Sequence, residues 1–105
     1  MLEISLDKVA HIIFQAREGS LAEKELAAFI ASLNEDEQAQ LVAIAWVGRG
    51  AFEPESFDEA LATAYAERSV PTEDYLMGMP HLAENLEAGL EALGIDVTDI
   101  EADFL

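Results

Sequence analysis

Apolar residues recur along this chain at helical rather than strand spacing. Over about 5–18, Leu6, Val9, Ile13 and Ala16 share one side of a helix, with Asp7, His11, Gln15 and Glu18 opposite. A second helix, about 21–33, turns Leu26, Phe29, Ile30 and Leu33 inward. The run "LVAIAWV", Leu41 to Val47, is apolar without a break. Periodicity alone does not separate a buried strand from a buried helix there. Asn34, the polar turn after it and the interleaved alanines predict a helix over about 35–47, apolar all round and therefore central. Gly48 is expected to end it. A fourth helix, about 57–68, packs through Phe57, Leu61, Ala64 and Tyr65, and Pro71 is followed by a short turn near 73–77. The last long helix, about 80–93, takes Pro80 in its first turn, buries Leu82, Leu86, Leu90 and Leu93, and ends before Gly94. Gly89 beside that seam costs about 1 kcal/mol relative to alanine. A close approach of a neighbouring helix or of the Trp46 ring is expected to offset it.

Capping patterns support this division. A Ser, Thr or Asn with Glu three residues on can satisfy two of the N–H groups that a helix start leaves unpaired. The pattern occurs at Ser20/Glu23, Asn34/Glu37, Ser56/Glu59 and Thr98/Glu101. The predicted fold is all-α: a compact bundle of about five helices in one domain, 1–94, with a short acidic helix or tail at 95–105.

Composition narrows the chemistry. With no cysteine among 105 residues, a disulfide framework and thiolate chemistry are excluded. A hydrophobic content of 51% favours a folded domain over an acidic disordered segment. No basic N-terminal region precedes an apolar run, so no signal peptide is expected and the cytoplasm is the default location. The longest apolar run is too short to span a bilayer. The formal net charge is -17, and Lys8, Arg17, Lys24, Arg49 and Arg68 are the entire basic set. Direct binding to nucleic-acid phosphates or anionic membranes needs clustered cations, and this chain has none. A basic protein partner is electrostatically compatible with this charge, which also serves simply to keep a small domain soluble.

Two stretches carry a resemblance. The turn Trp46, Gly48, Arg49, Gly50 and the segment Tyr75, Leu76, Gly78, Pro80 leading to Leu86, Gly89, Leu90 are similar to domain of unknown function 3775, a small bacterial family. The resemblance covers about residues 20–93 and implies no activity, cofactor or catalytic residue.

The candidate interaction or ligand residues are Trp46, Arg49, Tyr75, Met77, Met79, His81 and Glu84. Arg49, between two glycines beside the only tryptophan, reads as a helix-end cation that pairs with a carboxylate on the last helix, or as a recognition residue. Met77 and Met79 read as core filling or as an adaptable binding surface. His81 and Glu84 stand at a ligating spacing, but di-metal helical sites need more such motifs, so neither a metal nor another cofactor is expected. Ser5, Ser20, Ser56, Thr72 and Thr98 fall at helix starts, where capping accounts for them, and no nucleophile elbow or phosphate loop occurs. The leading expectation is a non-catalytic module that self-associates or docks a protein partner. The alternatives are a small enzyme or ligand binder built on Arg49, Tyr75, His81 and Glu84, and an acidic mimic of nucleic acid that binds a basic protein.

Overall fold

A helix with no polar face has to be surrounded, and Leu41 to Val47 is surrounded. The computed structural model describes residues 3–95. Its helices are α1 (Leu6–Arg17), α2 (Glu23–Ser32), α3 (Glu35–Arg49), α4 (Phe57–Ala66), α5 (Thr72–Met77) and α6 (Leu82–Ala92). Tight 3-10 turns occupy Gly19–Ala22 and Pro54–Ser56, and no strand occurs among the described residues. Every residue of α3 from Glu37 to Val47 is buried. Helix α3 packs against α6 and α4, α1 against α6 and α2, and α2 against α5. Ile12, Ile13, Ile30, Leu41, Ile44, Leu76 and Leu86 are fully enclosed, each worth about 1.5–3 kcal/mol of apolar burial.

The fold is all-α as predicted, with six helices where about five were expected, because the turn near 73–77 is the helix α5. Ile95 packs on the core. The rest of the expected acidic tail, and the Thr98/Glu101 cap, lie outside the described residues.

One predicted capping box forms in full. The Asn34 side chain accepts from the Glu37 N–H at 2.8 Å, and the Glu37 carboxylate accepts from the Asn34 N–H at 3.0 Å. Ser5 caps α1, accepting from the Lys8 N–H at 3.2 Å. Two boxes fail. Helix α2 starts at Glu23 behind a 3-10 turn, with Ala22 at its cap, so the Ser20 position is not its start. Ser56 does precede α4 but contributes no side-chain cap.

The buried polar groups of α3 each find a partner across the fold, as burial demands. Lys8 Nζ lies 2.6 Å from Glu37 Oε2; this hydrogen bond, with the one from Asn34, holds the Glu37 carboxyl below its ordinary value. Gln38 Nε2 donates to the Ile30 carbonyl at 3.0 Å, and Gln40 Oε1 accepts from the Glu3 N–H at 2.7 Å.

The two glycines around Arg49 have different tasks, which corrects the expectation that Gly48 ends the helix. Gly50, at φ 87°, is the left-handed residue. Its N–H bonds to Val47 and that of Ala51 to Trp46, the paired closure of a Schellman motif. Gly48 lies inside α3, where a Cβ would fall 1.7 Å from the Asn85 carbonyl oxygen of α6. Gly89 is its counterpart, with Ile44 O 2.1 Å from a Cβ placed there. The predicted close approach at Gly89 is therefore made by α3 backbone, and not by the Trp46 ring. Helix α6 begins at Leu82, later than predicted: Pro80 lies in the preceding turn and His81 caps the helix at φ 58°.

Candidate functional site

Small residues on facing helices leave space between them. Ala39, Val42 and Trp46 make one stripe of α3, and Ala64 of α4 faces it across a cleft of about 260 Å³. Larger side chains at Ala39 or Ala64 would fill the gap. The other walls are the connection between α4 and α5, with Arg68, Ser69 and Val70, and the start of α5, with Thr72 and Tyr75. The connection is tied back to α3: one Arg68 nitrogen donates to Gln38 Oε1 at 2.8 Å, and another lies 3.7 Å from Glu35 Oε1.

The aromatic end of the cleft is held together by one hydrogen bond and two ring contacts. Trp46, 8% exposed, donates its indole N–H to the Tyr75 hydroxyl at 2.8 Å. Its ring stacks with Phe52 at 5.7 Å and meets Tyr75 edge-on at 6.4 Å. The Tyr75 hydroxyl thereby accepts one bond and keeps a proton to donate.

The lip is apolar and acidic. Among the described residues three large hydrophobic side chains are exposed, Phe14, Tyr65 and Val70, and the last two line this cleft. Tyr65 was expected to pack inward. Instead Ala60 and Ala64 form the buried face of α4, and the Tyr65 hydroxyl donates to Asp36. Glu35 and Glu67 complete the rim.

The hydrogen bond to Asp36, followed by burial and the charges of Asp36, Glu3 and Glu35, raises the Tyr65 pKa from 10.0 to about 12. A pKa raised by folding adds stability that is complete below 10 and lost as pH climbs through 12. In a Tyr75→Phe background Tyr65 is the only tyrosine, so its phenolate absorbance can be titrated alone. Asp36→Asn should bring that titration back toward 10. An unchanged midpoint would show that Asp36 is not the cause.

The seven sequence candidates are divided. Trp46 and Tyr75 meet in the cleft. Met77, Met79, His81 and Glu84 line a second, more open depression of about 400 Å³ with Arg17 and Leu26. Met79 is buried and Met77 partly so, hence they form no exposed apolar patch. His81 Nδ1 is 3.9 Å from Glu84 Oε1, with both side chains mostly in water. Arg49 is exposed in the last turn of α3, lines neither depression, and takes part in none of the ion pairs among the described residues. The carboxylate clamp expected for it is absent there. Across the described residues, no three His, Asp or Glu side chains converge as metal ligands. His11 was placed on the wet face of α1; it is partly buried, edge-on to Phe29 at 4.7 Å.

Sequence reasoning missed Glu35, Tyr65, Arg68 and Val70 as site residues. The available signal was an exposed-type cation, Arg68, following the fourth helix in a chain nearly without cations.

Among the described residues, fold and cleft together define a small all-α protein with an aromatic-ended groove. Residues 23–95 match the family described as "Protein of unknown function (DUF3775)", and the chain belongs to that family. No curated protein and no solved structure matches it. No helix among the described residues is long and apolar enough to cross a membrane.

Proposed function

We propose that this protein is a non-catalytic binding module that seats one bulky apolar side chain of a protein partner in the cleft between α3, α4 and α5. The observation that carries this reading is the placement of Tyr65 and Val70: among the described residues, two of the three exposed large hydrophobics border the same apolar-floored space. Apolar surface left in water next to a concavity marks an interaction site. The size supports an anchor residue. At about 260 Å³ the cleft falls below the roughly 300–1,000 Å³ usual for small-molecule and cofactor sites, while a single buried aromatic or aliphatic anchor is how protein interfaces concentrate their energy. The enzyme reading needed Arg49, Tyr75, His81 and Glu84 in one cleft, and they lie in different places.

Trp46 is the only tryptophan, so its indole N–H gives one isolated NMR signal on the cleft floor. Indole or p-cresol at millimolar concentration should shift that signal together with the amides of Val42, Tyr65 and Val70. Val42→Phe, which narrows the cleft without adding a second indole, should abolish the response while the protein stays folded. Shifts confined to the depression at Met77 and His81, or none at all, would refute this placement of the site.

A further inference from the structure

We infer that the segment docked in this cleft is basic, an apolar anchor with Lys or Arg beside it, and that Arg68 is the chain's own stand-in for that cation. The inference rests on the docking reading above. Charge at the rim carries it. Glu35 and Glu67 both border the cleft, and Arg68 is the one cation that does. Glu73 lines a neighbouring open depression that Arg68 and Glu35 also border, and Asp36 accepts a hydrogen bond from Tyr65 at the lip. The rim is thus left with an excess of carboxylates in a chain whose formal net charge is -17.

Arg68 does not neutralise this rim. Its short hydrogen bond goes to the neutral Gln38 at 2.8 Å, and its nearest carboxylate, Glu35, is 3.7 Å away. The Glu35 side chain is 81% exposed, so an incoming cation can reach it with little desolvation. A partner cation next to a seated apolar anchor would meet Glu35 and Glu67 and would compete with Arg68 for the former. An acidic partner would face repulsion from the same groups, which gives selectivity as well as attraction.

Short synthetic peptides with one Phe anchor, flanked by Lys, by Ser or by Glu, test this through Trp46 fluorescence. Lys-flanked peptides should bind tightest, by about two- to fivefold for each carboxylate engaged, the range of one exposed ion pair. The advantage should shrink with added salt. Glu35→Gln with Glu67→Gln should erase the preference for Lys over Ser flanks. Arg68→Gln, which keeps a group able to bond Gln38, should strengthen Lys-flanked binding by freeing Glu35. Equal or tighter binding of the Ser- or Glu-flanked peptides overturns the inference while leaving the docking site standing. So does weaker Lys-flanked binding in Arg68→Gln. If no peptide binds and indole leaves Trp46 unmoved, the docking reading itself fails and the inference with it.

Discussion

Gly48→Ala should destabilise the fold by about 3 kcal/mol or more, at the upper end of what overpacking a tight interior costs. On helix propensity alone the substitution should gain about 1 kcal/mol, so the sign is set by the space. A Cβ at Gly48 would sit 1.7 Å from the Asn85 carbonyl oxygen and 2.7 Å from the Gly89 nitrogen. These are backbone atoms and cannot rotate away, so α3 and α6 must separate. Their separation would loosen Ile44, Leu86 and Leu90, all buried at 1% exposure or less. Gly89→Ala meets Ile44 O at 2.1 Å and should cost a similar amount. The double variant should cost less than the sum, because helices already forced apart accommodate the second methyl. Gly50→Ala is the control: nothing lies within 4 Å of its Cβ, and only the left-handed backbone, worth about 1–2 kcal/mol, opposes it. Urea melts decide the matter. If Gly48→Ala matched wild type, the helices would not be in backbone contact.

The same two glycines show where the sequence was legible and where it was not. The central helix could be read because two independent signals agreed: an apolar run with no wet face, and Asn34/Glu37 placed to cap it. That some close approach surrounds Gly89 could also be read, since a glycine costs helix stability unless something occupies the missing side chain's place. That Gly48 lies inside the helix, leaving Gly50 alone of the pair at positive φ, could not. Both fit a helix end, and the choice depends on α6, which arrives from the other half of the chain. Tyr65 misled for a related reason. Its spacing from Leu61 fits an apolar face, but its hydroxyl finds Asp36, 29 residues earlier. The Ser-x-x-Glu pattern at Ser20 is met by a 3-10 turn that begins at Gly19, φ 66°. As for the site, Trp46 and Tyr75 were named among the candidates, whereas the cleft beside them exists because Ala39 and Ala64 line it from two different helices. No local pattern records a gap of that kind. The cation at its mouth is accordingly Arg68, and not the conspicuous Arg49.

Trp46→Ala should cost about 3–5 kcal/mol, the usual range for truncating a buried aromatic. The ring holds Phe52 by stacking and Tyr75 by both edge contact and hydrogen bond, so its loss removes the cleft floor and unseats α5 together. Tyr75→Phe isolates the polar part of this. It keeps the ring but strips the acceptor from an indole N–H on a side chain 8% exposed, and an unpaired buried donor costs about 1–3 kcal/mol. Trp46→Phe removes the donor and leaves the Tyr75 hydroxyl free to turn toward the open cleft, so it should cost less than Trp46→Ala. Combining Trp46→Phe with Tyr75→Phe removes both polar partners at once. The double variant should then lie closer to Trp46→Phe than the single costs would sum to. Denaturant melts of the four proteins complete the cycle. Strict additivity would mean that the 2.8 Å contact contributes nothing, and that packing alone holds α5 against the central helix.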